Sequence, residues 1–232
     1  MIRAIIFDFN GVIADDETPH VACFRQALAE AGLALSAEDY YGRYLGMDER
    51  TCTALLLQER DGACDGPLLE RIMARKAELF RAHMTRHKPP LFPGVTDFVA
   101  AARPRYRLAI ASGGRREQID EALRNTAIVH DFEVIVSAED CPTGKPDPAI
   151  YLLTLQRMNH LKSASPLLTA GDCLVIEDSK AGLRAARAAG MAVVGLSTTY
   201  PPDQLREADV VLPDLAGTDP ERLCRQWASD RA

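Results

Sequence analysis

The chain has 232 residues, 47% of them apolar and 26% charged, with a formal net charge of −6. That length suits one good-sized core plus a smaller appended domain, and no Lys/Arg-rich stripe is present to supply the phosphate contacts of a nucleic-acid binder. No apolar run approaches the roughly 20 residues of a membrane span. The N-terminus enters a strand at once, leaving no room for a signal peptide, and the six scattered cysteines, with no Cys-x-x-Cys pair, read as buried thiols. A cytoplasmic protein is expected, and a monomer.

In chain order, Ile2 to Phe7 is short, mostly apolar and β-branched, and reads as a buried strand. It delivers Asp8 to its C-terminal end, which is where ligands bind in an open α/β sheet. Gly11 then permits a tight turn. Residues 16–88 read as helix throughout. Val21, Phe24 and Leu28 fit one helix stopped by Gly32, and Leu55, Leu56 and Leu57 sit in another. Leu68, Leu69, Ile72, Met73, Leu79 and Phe80 recur at helical spacing in a third. His83 and His87, four apart near its end, read as surface residues rather than metal ligands. Lys88-Pro89-Pro90-Leu91-Phe92-Pro93-Gly94 breaks the pattern as a linker.

From there strands and helices alternate. Strands are predicted at Tyr106–Ala111, Glu133–Ser137, Cys173–Glu177, Met191–Leu196 and Val210–Leu212. Helices are predicted at Arg115–Asn125, Pro148–Met158 and Ser179–Ala189. The alternation implies an α/β fold, a Rossmann-like doubly wound parallel sheet with helices on both faces. The sheet core takes residues 1–15 and 89–232, and the all-helical block 16–88 is an insertion, hinged through 14–16 and 88–92.

Four chemical groups fall at predicted strand ends: Asp8, Ser112 in Ser112-Gly113-Gly114, Lys145 in Gly144-Lys145-Pro146-Asp147-Pro148, and the pair Glu177-Asp178. Singly, each reads as a cap, a loop or a solvated helix entry. Together on one sheet edge they supply a carboxylate nucleophile, a hydroxyl donor, a cation and a second acidic pair. Phosphoryl transfer needs charge neutralisation and in-line positioning of this kind. Mg²⁺ takes hard oxygen ligands, which Asp8 and Asp178 offer. Ser112 with the Gly113-Gly114 amides, near a helix N-terminus, suits phosphate oxygens.

Asp8-Phe9-Asn10-Gly11, Ser112-Gly113, Gly144-Lys145-Pro146 and Glu177-Asp178 in this order resemble the four motifs of the haloacid dehalogenase superfamily, across nearly the whole chain. The resemblance implies a phosphatase of a small phosphorylated metabolite, working with Mg²⁺ through an aspartyl-phosphate on Asp8. It implies Lys145 as the catalytic cation and a metal site of Asp8, the backbone carbonyl of Asn10, Glu177 and Asp178. The insertion resembles the helical cap of the β-phosphoglucomutase-like branch. There His20, Gly46 in Tyr44-Leu45-Gly46-Met47-Asp48, and Lys76 match substrate- and phosphate-binding positions.

Two departures matter. The superfamily's second motif aspartate, its general acid/base, is Asn10 here, and an amide can neither protonate a leaving alkoxide nor take a proton from water. Such help is typically worth about 10²–10⁴-fold. A slow phosphatase is expected, with a catalytically impaired phospho-ligand-binding or regulatory protein as the alternative. The sugar phosphomutase pattern places Lys before Gly46 and Arg three residues after it. Here those positions are Leu45 and Glu49, which disfavours a mutase. A dehalogenase needs neither metal nor the acidic pair, and both Glu177 and Asp178 are present.

Overall fold

The computed structural model describes residues 1–44, 49–87, 89–141, 143–161 and 166–227. The chain divides into two compact units, Met1–Asp15 with Pro90–Ala232, and Asp16–Pro89.

The first unit is built on one six-stranded sheet: β1 (Ala4–Phe7), β2 (Arg107–Ala111), β3 (Val134–Val136), β4 (Cys173–Glu177), β5 (Ala192–Leu196) and β6 (Val210–Leu212). Every neighbouring pair is parallel, in the order β3-β2-β1-β4-β5-β6. Central strands β1 and β4 are buried along their whole length. This is why they read as continuous apolar runs rather than alternating ones: strands of a parallel sheet are covered on both faces. The chain winds outward from β1 to β3, then crosses to β4 on the other side of β1. The carboxyl ends of β1 and β4 therefore flank the point where the strand order reverses, the usual ligand crevice of such sheets.

The second unit holds α1 (Glu17–Glu30), a short α2 (Ala37–Asp39) running into a wider-turned stretch Tyr40–Tyr44, α3 (Glu49–Asp61) and α4 (Gly66–Arg86). The block is all-helical, as the sequence predicts, but is divided into more pieces than the three helices read there. The reason is local capping. Ser36 and Asp65 each accept a backbone N–H three residues on, from Asp39 and Leu68, and so start new helices. Phe24, Leu28, Leu57, Leu69 and Ile72 form this unit's own apolar core.

Among the described residues, five α-helices complete the first unit: α5 (Val95–Ala102), α6 (Arg116–Leu123), α7 (Ala149–Leu161), α8 (Lys180–Ala188) and α9 (Pro220–Arg225). Helices α5 and α9 are additions to the predicted set. The Pro93-Gly94 break that reads as linker is also the entry to α5, whose Val95, Phe98, Val99 and Ala102 are buried at helical spacing. Asp219 caps α9 through the N–H groups of Glu221 and Arg222. Among the described residues no helix is long and apolar enough to cross a membrane. All six cysteines are free thiols.

Candidate active site

Asp8, the residue after β1, is fixed by its own N–H, which donates to the Ile176 carbonyl of β4 at 2.9 Å. Glu177 ends β4 and Asp178 follows it, so the parallel register of β1 and β4 brings three carboxylates together. Asp8, Glu177 and Asp178 are buried and offer oxygens within 4.8 Å of one another. Lys145 reaches into this group from the turn before α7. Its Nζ lies 2.8 Å from Asp8 Oδ1 and 2.6 Å from Glu177 Oε1. Among the described residues, this Lys145 contact is the only one made by the buried Asp8 Oδ1.

Glu177 is saturated. Its Oε1 accepts from Lys145 and from the Tyr151 hydroxyl at 3.2 Å. Its Oε2 accepts from the N–H groups of Asp178 and Ser179 and from Ser179 Oγ, at 2.8, 2.7 and 3.0 Å. Two glycines make room for the acidic pair. Gly11, at φ +76°, turns the chain where a Cβ would overlap the Asp178 carboxylate. A Cβ at Gly182 on α8 would overlap that of Glu177.

The electrostatics follow from burial of three acids with one cation. Desolvation, opposed by Lys145 and reinforced by Glu177, pushes the Asp8 carboxyl up to about 6. Burial and the neighbouring Glu177 and Asp8 charges hold Asp178 well above the carboxylate range. Glu177 is lowered despite its burial, because Lys145 and the Ser179 donors stabilise the anion. The same two acids outweigh the burial of Lys145 and hold its ammonium well above its ordinary range. A divalent cation fits this group. It would balance the excess negative charge, and the donors are the hard oxygens that Mg²⁺ takes.

Ser112 follows β2 and is fully buried. Its Oγ donates to the Asn10 side-chain oxygen at 3.4 Å and accepts the Gly114 N–H at 3.0 Å. Asp8, Asn10, Ser112, Lys145, Glu177 and Asp178 thus form one cluster at the sheet's carboxyl edge, with Gly113 in the loop beside Ser112.

His20 and Lys76 meet in the helical unit, on α1 and α4. Lys76 is 2% exposed. Its Nζ lies 2.6 Å from His20 Nδ1 and 2.5 Å from Glu49 Oε1. His20 stands between two acids, with Nδ1 3.3 Å from Glu49 Oε1 and Nε2 3.3 Å from Asp16 Oδ2. Burial works against ionisation of Glu49, but Lys76 and His20 pull it down to about 2. Gly46 lies outside the described residues.

Sequence reasoning missed Tyr151, Gly182 and the pairing of Glu49 with Lys76. Tyr151 stands at an apolar helix position and Gly182 inside an Ala-rich helix, so neither carries a local signal. Glu49 registers in the sequence only as the absence of an expected arginine.

The family model of haloacid dehalogenase-like hydrolases matches residues 2–190. The chain belongs to this family of hydrolases. It is 34% identical to protein CbbY, plasmid-encoded, of Cupriavidus necator, covering 92% of this chain and 86% of that protein. It is 29% identical to the phosphorylated carbohydrates phosphatase of Thermotoga maritima, covering 82% of each. Among solved structures it is similar to an Asp-to-Asn mutant of CbbY from Rhodobacter sphaeroides in complex with xylulose-(1,5)-bisphosphate. There the TM-score is 0.75 and the identity 27%, over 94% of this chain and 96% of that one.

Proposed function

We propose that this chain is a phosphatase of a small phosphorylated sugar, with Asp8 as nucleophile and Mg²⁺ as cofactor. The observation that carries the reading is a buried carboxylate, Asp8, held 2.8 Å from a lysine cation at the switch point of the sheet. The names of the relatives, a carbohydrate phosphatase and a bisphosphate-bound CbbY, support the substrate class.

Asp8 attacks phosphorus and becomes the acyl phosphate, and the sugar leaves as its alkoxide. Lys145 offsets the repulsion between the anionic carboxylate and the anionic phosphate. Ser112 Oγ, held by the Gly114 N–H, and the amide of Gly113 take phosphate oxygens. Water then attacks phosphorus and releases inorganic phosphate from Asp8. Asp8, Asp178 and the backbone carbonyl of Asn10 would hold the Mg²⁺, while Glu177, whose oxygens already meet five donors, holds Lys145. When bound, the ion supplies charge neutralisation for the transferred group. The helical unit is assigned the choice of substrate through His20, Gly46 and Lys76.

Asn10 sets the pace. Its amide cannot relay the proton, so esters with poor leaving groups turn over slowly, while phosphate and Mg²⁺ binding are untouched. The second reading rests on the same residue: a phospho-ligand-binding protein with residual or no turnover. Hydrolysis of p-nitrophenyl phosphate with Mg²⁺ by the protein and by its Asp8→Ala form separates the two. Activity abolished by Asp8→Ala supports the phosphatase. Activity that survives Asp8→Ala removes Asp8 as nucleophile. Phosphate binding without any turnover favours the second reading.

A further inference from the structure

We propose that Tyr151 is a positioning residue: through Glu177, its hydroxyl keeps the Lys145 ammonium directed toward Asp8 and an incoming phosphate. This rests on the phosphatase reading for the identity of the anion. It goes beyond that reading in naming a residue outside the four motifs.

Tyr151 lies on α7 and is fully buried. For packing alone a phenylalanine would serve, and a buried phenolic O–H costs free energy unless it is paired. Here it donates to Glu177 Oε1 at 3.2 Å, the same oxygen that accepts from Lys145 at 2.6 Å. The Lys145 Nζ stands 5.2 Å from the centre of the Tyr151 ring. Lys145 is thus placed between two acids, Asp8 Oδ1 at 2.8 Å on one side and this shared oxygen on the other.

How Lys145 divides between them depends on how strongly Glu177 attracts it. Glu177 Oε2 already receives two backbone N–H groups and a serine hydroxyl. Among the described residues, the Tyr151 hydroxyl is the only donor at Oε1 besides Lys145. By occupying that oxygen it spreads the carboxylate's charge over a further donor and weakens its hold on the ammonium. Without the hydroxyl, Oε1 belongs to Lys145 alone, and the cation shifts its charge from Asp8 and the phosphate toward Glu177.

The test is calorimetric titration of inorganic phosphate, with Mg²⁺ present, into the protein and its Tyr151→Phe form. The ring is retained, and thermal unfolding checks that the variant is folded. With the Lys145 ammonium drawn away toward Glu177, the phosphate Kd is expected to weaken by about tenfold. In the Glu177→Gln background the Tyr151→Phe change should weaken it no further. A Kd within about twofold of the parent, or equal losses in both backgrounds, would overturn the proposal. A purely structural role for Tyr151 would lower the unfolding temperature and leave Kd in place. Phosphate binding sensitive to Tyr151→Phe in a protein without turnover would sink the phosphatase reading and keep this inference. Turnover with insensitive binding would do the reverse.

Discussion

Burial of Asp8 should make the metal-free protein less stable as pH rises from about 4 to about 7, and the size of the effect follows from the site. The Asp8 carboxyl moves from its ordinary value of 3.8 to about 6, through desolvation, against Lys145 and with Glu177. At about 1.4 kcal/mol for each pH unit, that gap corresponds to about 3 kcal/mol. Between the two values the native state binds more protons than the unfolded chain, so stability falls as pH rises through this window, and the full cost stands above it. The assay is urea unfolding, in chelator, of the protein and of its Asp8→Asn form across that range. The parent should lose about 3 kcal/mol relative to the variant between the ends of the range. Saturating Mg²⁺ should remove most of this loss, because the ion replaces the proton as the counter-charge of Asp8 and Asp178. A difference between parent and variant that stays flat with pH would refute the reasoning. It would mean that Lys145 fully compensates Asp8 in the folded protein.

Three further outcomes are expected. Asn10→Asp should raise turnover of alkyl phosphates by about 10²-fold or more and do much less for aryl phosphates, whose leaving groups need little protonation; steady-state kinetics on both ester classes checks this. Gly182→Ala should lower the unfolding temperature and turnover together. An exposed helix glycine gains up to about 1 kcal/mol on this change, whereas here the new Cβ overlaps the Glu177 carboxylate, a clash costing about 1–3 kcal/mol. Glu49→Leu should destabilise the helical unit by about 3 kcal/mol, seen in thermal unfolding, because it leaves the buried Lys76 ammonium without its acid.

Much of the core was legible in the sequence for a simple reason. A strand of a parallel sheet is buried on both faces, so it must be a short apolar run wherever the chain later goes. Cys173–Glu177 and Val210–Leu212 are strands with the bounds the sequence predicts. The strand-end position of Asp8, Ser112 and Glu177 could be read in the same way, because alternating strands and helices imply one parallel sheet and so one carboxyl edge. Helix α5 was hidden because Pro93-Gly94 marks a break equally well as a linker or as a helix entry.

Tertiary structure decided the rest. That Lys145 lies between Asp8 and Glu177, that Tyr151 shares a Glu177 oxygen 26 residues away, and that Glu49 pairs with Lys76 are matters of which side chains meet. So are the charges. Asp8, Glu177 and Asp178 are the same carboxylic acids in the sequence, yet Glu177 is stabilised as the anion while its two neighbours are pushed toward the protonated form. Local periodicity records only whether a residue is buried. The energy of a buried charge depends on the donors within a few ångströms, and packing between elements distant in the chain alone brings those into place.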